Sequence, residues 1–315
     1  MKSSIALLLQ LAVVALAIGG GNALAQTALP RAASVALDRF SPGEAGSGWF
    51  ALDVLDLRGR GRWDASVVVD EAYHPLVLRS SDGSPDQAVV SNQLVTHLQG
   101  AVFLADRVRL ALSLPLVLFE SGEPVVVGGV AYPQPEAGVG DPRLGADVRV
   151  FGDEAGPLVG AAGLQMDLPI HLGDRRYGRE NDLRLAPHFG LAGQVGPAGI
   201  LAYAGRIGFL AHLPRDLNSG LPRGTDLELA GAVGVWVWRN QLLIGPEIYG
   251  ATMLDGNGPF ATSSSPLEGL LGGHYQNRNG FGAGIGFGAG LVQATGTPPI
   301  RFLLDVNFTP RTEIQ

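Results

Sequence analysis

Apolar and small residues alternate strictly near the C-terminal end of the chain. Between residues 280 and 290, the sequence GFGAGIGFGAG has glycine at every even position and an apolar residue at every odd one. A period of two cannot form one face of a helix, so this segment predicts a β-strand with one apolar and one small face. Residues 300–308 repeat the period, with apolar residues on one face and Arg301 and Asp305 on the other. A charged face opposite an apolar face is typical of transmembrane β-barrel strands, which are apolar outside and polar inside.

The same alternation predicts about twelve strands, mostly of the roughly 10 to 14 residues that a tilted strand needs to cross a bilayer. They cover 63–72, 91–104, 108–119, 139–151, 157–170, 182–195, 199–211, 225–238, 241–251, 266–276, 280–292 and 299–309. Short turns alternate with longer loops between them, as in outer-membrane barrels, where the short turns are periplasmic. We therefore predict an all-β fold, an antiparallel up-and-down transmembrane barrel of about 12 strands (10–14 possible), over residues 63–309.

The face opposite the apolar one predicts a charged lumen. The candidate lumen-lining residues are Arg109, Arg143, Asp147, Arg149, Asp167, Arg184, Arg206, Glu228, Glu247, Glu268, Arg301 and Asp305. Asp64 and Asp70 fall on the same face. Mixed charges in a confined lumen are expected to pair, and such pairs either fill a barrel as a structural lattice or line a narrow selective pore. Both alternatives remain open, because a twelve-stranded barrel is wider than the small barrels that side chains fill and narrower than porins.

The N-terminus predicts export to the cell outer membrane. Lys2 precedes an apolar run over residues 5–18, and Ala23 and Ala25 form a small-x-small cleavage site before Gln26. We therefore expect residues 1–25 to be a cleaved signal peptide. Residues 26–62 lack strand periodicity and are interpreted as a periplasmic segment or an interior plug. Residues 310–315 form a short C-terminal tail.

Composition narrows the classes of function. The chain has no cysteine, which excludes disulfides and a lipidated N-terminal cysteine, and its net charge of −7 argues against nucleic-acid binding. No metal-binding or cofactor motif is present, so no metal or cofactor is expected. The expected partners are outer-membrane lipid, the barrel-assembly machinery that inserts such proteins, and small solutes if the lumen is open.

Two other classes of protein compete with the barrel. A secreted or periplasmic β-sandwich binding module also alternates, so periodicity alone does not separate it from a barrel. A membrane-embedded hydrolase would need a nucleophile and a base, but the sequence has no G-x-S-x-G and its histidines are scattered. We therefore expect no enzymatic activity, and we interpret the chain as a structural or porin-like barrel that passes small solutes.

Several framework motifs resemble a known family. They are LDRFSP at 37–42, DLRG at 56–59, AYHPLVL at 72–78, VGDPRLG at 139–145 and PLEGLLG at 266–272. Together they are similar to the N-terminal β-barrel domain of OmpA-like outer-membrane proteins of delta-proteobacteria and myxobacteria. In that family the barrel is commonly followed by a peptidoglycan-binding domain. The present chain ends directly after its last predicted strand, so a wall-tethering function is not expected.

Overall fold

The computed structural model of the chain describes residues 37–53, 55–78, 86–127, 130–153, 156–169, 177, 182–213, 224–254, 259–292, 294 and 296–310. The predicted signal peptide and nearly all of the C-terminal tail lie outside the described residues. The strands are β1 (Trp63–Leu78), β2 (Gln87–Leu104), β3 (Val108–Ser121), β4 (Val125–Val127), β5 (Val130–Tyr132), β6 (Gly138–Val139), β7 (Arg143–Gly152), β8 (Val159–Asp167), β9 (Leu183–Val195), β10 (Leu201–Leu213), β11 (Thr225–Val237), β12 (Leu242–Met253), β13 (Leu267–Gln276), β14 (Phe281–Val292) and β15 (Ile300–Phe308).

Short 3-10 helices cover Pro197–Gly199 and Thr262–Ser264. Within the described ranges, no helix has the length and apolar character needed to span a membrane.

Twelve of the strands form a closed antiparallel barrel, which confirms the predicted fold class. Each barrel strand pairs with its neighbour in sequence, and β1 also pairs with β15, which closes the ring. Short strand β6 extends the sheet beside β3, and β4 and β5 form a separate hairpin in the connection between β3 and β7. The predicted strand boundaries hold to within a few residues, except that β1 continues to Leu78.

The two faces of the sheet differ in polarity as the alternation predicts. On β3, Leu110 and Leu112 face outward and are 43% and 49% exposed. Arg109 faces inward on the same strand and is only 2% exposed. On β15, Leu304 and Val306 are exposed, and Arg301 and Asp305 are buried. A β-sandwich would bury its apolar face, so this arrangement excludes the sandwich alternative.

Four prolines lie inside barrel strands, where proline cannot donate a ladder hydrogen bond. Pro75 lies at a register shift of the ladder between β1 and β2. The ladder between β9 and β10 skips two positions that include Pro187, and the ladder between β11 and β12 skips two that include Pro246. At Pro115, strand β3 changes its neighbour from β7 to β6. The last three prolines keep their pairing with the strand on the other side, so β3, β9 and β12 continue through these residues rather than end at them.

The two ends of the barrel are different. The short connections at residues 105–107, 153–158, 196–200, 238–241 and 277–280 all lie at the end where β1 begins and β15 ends, which we call the turn end. The longer connections lie at the opposite end, which we call the loop end. Aromatic rings cluster at the turn end, with Trp63 5.6 Å from Phe308 and Trp238 5.5 Å from Tyr275. Such rings are typical of the interfacial girdle of membrane barrels.

Candidate functional site

The chain before β1 lies inside the barrel. We call residues 37–53 and 55–62 the lumen segment. At the loop end, Leu37 is buried against Val89 and Val90, and its N–H donates to the Tyr177 carbonyl over 2.9 Å. At the turn end, the N–H of Gly59 donates to Asp106 over 2.9 Å. The lumen segment therefore runs through the barrel from the loop end to the turn end.

The glycines of β13 and β14 leave space for one aromatic ring of the lumen segment. A Cβ atom added at Gly286 would lie 2.6 Å from the Phe50 ring, and one added at Gly272 would lie 2.8 Å from it. The ring centroids of His274 and Phe50 lie 4.2 Å apart. The His274 imidazole also lies against Gly284, because a Cβ atom added at that glycine would lie 2.6 Å from it. Close approach of Phe50 and His274 thus explains the inward-facing glycines at these positions.

Glu247 of β12 binds the backbone of the lumen segment at Phe50 and Ala51. Its two carboxylate oxygens accept the N–H groups of Phe50 and Ala51, each over 2.8 Å. The Phe50 carbonyl in turn accepts the N–H of Gly43 over 2.8 Å, which folds the segment into a compact loop. A single wall carboxylate therefore satisfies two backbone donors that would otherwise be buried without a partner.

Arg109, Asp53, Asp147 and His188 form the Arg109 cluster, which joins the lumen segment to β3, β7 and β9. The Arg109 guanidinium lies 2.9 Å from Asp147 and 3.3 Å from Asp53 of the lumen segment. His188 Nε2 lies 2.8 Å from Asp147. Asp53 of the lumen segment therefore pairs with an arginine of the barrel wall.

Arg143 binds a second part of the lumen segment. Its guanidinium donates to the Ser41 hydroxyl and, over 2.8 Å, to the Pro42 carbonyl. It also lies 3.6 Å from the Glu44 carboxylate, which accepts a hydrogen bond from Gln165 over 2.7 Å. Residues 41–44 are thus held by polar groups of the barrel rather than by apolar contact alone.

Arg301, Asp38, Asp70, Glu268 and His97 form the Arg301 cluster, nearer the loop end. The fully buried Arg301 guanidinium lies 2.9 Å from Glu268 and 3.3 Å from Asp38, and it also donates to Asp70. His97 Nε2 lies 3.3 Å from Asp38.

Both clusters contain two aspartates and a histidine, a combination that can bind a metal ion. In each cluster, however, one arginine already pairs with both aspartates. The aspartates are therefore already paired with a cation of the protein, and we interpret the clusters as ion pairs that join the lumen segment to the barrel.

A cavity lies on each side of the lumen segment. The cavity toward the loop end has a volume of about 350 Å³ and is bordered by Ala51, and the cavity toward the turn end has a volume of about 530 Å³ and is bordered by Trp49. Of the predicted lumen residues, Arg143, Asp167, Arg184, Arg206, Glu228 and Glu268 border the first cavity, and Arg109 borders the second. The lumen segment separates the two spaces.

Several predicted lumen residues form ion pairs outside the two clusters, and one lies at the turn end. Arg184 is 3.6 Å from Asp167, and Arg206 is 4.0 Å from Glu228. Asp305 lies 3.8 Å from His274. Arg149 lies at the turn end, where its guanidinium donates to the Asp106 carbonyl over 2.9 Å, and it joins neither cluster.

Sequence reasoning missed the partners that the lumen segment contributes. Asp38, Glu44 and Asp53 meet the predicted wall arginines, and Gln99 donates to the Gly43 carbonyl over 3.0 Å. The signal that would have found them is the composition of the segment itself. It spaces acidic residues among aromatic ones, which suits the filling of a lumen that is partly charged and partly apolar.

No protein-family model and no curated protein matches the chain. Among solved structures, an outer-membrane channel from Pseudomonas putida F1 has a TM-score of 0.57 at 12% identity, over 81% of this chain and 97% of that one. The NanC porin has a TM-score of 0.48 at 9% identity, over 79% and 100% of the two chains, and the KdgM porin 0.47 at 10%, over 79% and 99%. The fold is thus that of an outer-membrane β-barrel. These comparisons do not confirm the resemblance to OmpA-like proteins, which stays a prediction.

Proposed function

We propose that the chain is an outer-membrane barrel with a narrow, charge-lined lumen for small solutes, closed by its own lumen segment. The closure is supported by two contacts that attach the lumen segment to different strands of the barrel wall. Glu247 of β12 binds the backbone at Phe50, and Arg109 of β3 binds the side chain of Asp53. Between these contacts the segment crosses the lumen.

The proposal of solute passage is supported by the spaces on both sides of the segment. The cavity toward the loop end is bordered by charges of both signs, among them Arg206 and Glu228, which suits small polar solutes rather than apolar ones. The solved barrels with this fold are named as channels and porins, which agrees with passage and gives no support to an enzyme.

A structural barrel that stays filled is the second candidate function. It is favoured by the depth of the two ionic clusters, because Arg109 and Arg301 are 2% and 0% exposed. Breaking a buried ion pair is costly, on the order of 3–5 kcal/mol, so a segment held in this way leaves its site rarely. The two candidates differ in whether the lumen segment is ever displaced.

Planar-bilayer conductance separates the two candidates. The mature chain, residues 26–315, is compared with a variant that lacks residues 37–53, each after refolding in detergent. If the segment closes a solute path, the mature chain gives rare or small current steps and the deletion gives frequent, larger ones. Equal conductance of the two proteins would show that the segment does not close the lumen. Complete silence of the mature chain beside a conducting deletion, in samples whose gel mobility shifts on heating, would favour the structural barrel.

The deletion removes contacts as well as the obstruction, so a milder variant accompanies it. Phe50→Ala keeps the backbone bonds to Glu247 but empties the space beside Gly286. It is expected to raise the frequency of opening without the full conductance of the deletion. Gly231→Ala, where the nearest atom to the new Cβ lies 3.9 Å away, is the control.

We also propose the cell outer membrane as the location, reached with a cleaved signal peptide and with the help of the barrel-assembly machinery. Recovery of the protein in the detergent-extracted outer-membrane fraction and a mature N-terminus at Gln26 are the expected results. Membership of the OmpA-like proteins and the lack of enzymatic activity belong to the same proposal.

A further inference from the structure

The two ends of the lumen segment lie at opposite ends of the barrel. Leu37 contacts Tyr177 in the connection between β8 and β9. Leu37 also lies close to the connection between β14 and β15, because a Cβ atom added at Gly296 would lie 2.6 Å from the Leu37 carbonyl oxygen. Both connections belong to the loop end. Gly59 and Gly61 bind Asp106 and Phe103, which belong to the turn end.

Ion pairs inside the barrel show the same direction of the lumen segment, from the loop end to the turn end. Asp38 meets Arg301, the second residue of β15 counted from the loop end. Asp53 meets Arg109, the second residue of β3 counted from the turn end. The path is therefore set by ion pairs at both depths as well as by the terminal contacts.

We infer that the lumen segment is threaded from the cell exterior to the periplasm, so that the mature chain begins on the cell surface. The reason is the general orientation of outer-membrane barrels, whose long loops are extracellular and whose short turns are periplasmic. The inference rests on the outer-membrane location in the proposed function, but not on solute passage. A barrel that never conducts would display its N-terminus in the same way.

Threading gives the outer surface access to the chain that fills the lumen. A molecule that binds the lumen segment at the loop end would act from outside on the same stretch of chain that carries Asp38 and Phe50. An N-terminus on the periplasmic side would offer no such route.

Single-cysteine labelling tests the inference directly, because the natural sequence has no cysteine. Arg39→Cys places a thiol on an exposed residue of the lumen segment near the loop end, and Arg278→Cys places one on an exposed residue of a short turn. Glu123→Cys, exposed after β3, marks the loop end. Intact cells are treated with a polymer-linked maleimide too large to enter the periplasm, and parallel samples are treated after permeabilisation.

The expected result is that Arg39→Cys and Glu123→Cys are labelled on intact cells, whereas Arg278→Cys is labelled only after permeabilisation. Labelling of Arg39→Cys only after permeabilisation, with Glu123→Cys labelled on intact cells, would overturn the threaded path. An epitope tag inserted after Gln26 gives a second readout that does not depend on the reach of the maleimide to residue 39. Antibody binding to intact cells supports the inference, and binding only to permeabilised cells contradicts it.

Discussion

The lumen segment is held by two walls of the barrel that use different physics. The glycine wall, formed by Gly272, Gly284 and Gly286 on β13 and β14, receives Phe50 and His274 by shape. The ionic wall, formed by Arg109, Asp147 and His188 on β3, β7 and β9, binds Asp53 by charge. Because apolar packing is non-directional and ion pairs are directional, the first wall supplies attraction and the second fixes the position of the segment along the lumen.

The two walls also fail differently when they are altered. Burying a phenylalanine side chain contributes on the order of 1.5–3 kcal/mol, and this contribution falls gradually as contacts are lost. A buried ion pair adds little net stability when it is formed, but removal of one partner leaves a charge without compensation. Substitutions in the ionic wall are therefore expected to have the larger effects.

Arg109→Ala is the change with the largest expected effect. It leaves Asp53 and Asp147 buried without their cation, and the free energy of unfolding in lipid vesicles should fall by about 3–5 kcal/mol. Urea titration followed by gel mobility measures the loss. Arg109→Lys should lose less, because it keeps a charge but not the two-pronged geometry.

Arg278→Ala is the matched control, since it removes an exposed arginine from a short turn and should change the free energy of unfolding by no more than about 0.5 kcal/mol. A loss below about 1 kcal/mol for Arg109→Ala would contradict the role assigned to the ionic wall.

Gly286→Ala tests the glycine wall and has the next largest expected effect. The added methyl group would lie 2.6 Å from the Phe50 ring, and overpacking of this kind costs roughly 1–3 kcal/mol. In a Phe50→Ala background the same substitution should cost much less, because the ring is gone. A double-mutant cycle of unfolding free energies measures this coupling. Additive effects would show that Gly286 and Phe50 do not meet in the folded protein.

The sequence predicts the barrel because lipid imposes a simple rule on every strand. Each residue faces either hydrocarbon or lumen, so local alternation reveals both the strand and its faces, as Arg109 between Val108 and Leu110 illustrates. The same rule selects most of the inward charges without any knowledge of their partners. The hairpin formed by β4 and β5 is too short to leave such a signal.

The lumen segment escapes this rule because its partners are distant in sequence and its conformation is irregular. Phe50 binds Glu247, which lies 197 residues away, and Asp38 binds Arg301, which lies 263 residues away. Periodicity carries no information about such contacts. The glycines of β14 do show that a bulky group must approach, but they do not show that this group is the ring of Phe50.

The closing pair of strands gives the threaded segment a consequence for assembly. Hydrogen bonds between β1 and β15 join the first and last strands of the ring, so the seam cannot form before the final strand is synthesised. A chain that passes through a ring must be in place before the ring closes, or must be drawn through it afterwards. The order of events during insertion is thereby restricted. The seam between β1 and β15 therefore closes either around residues 37–53 or before these residues are drawn through the closed ring.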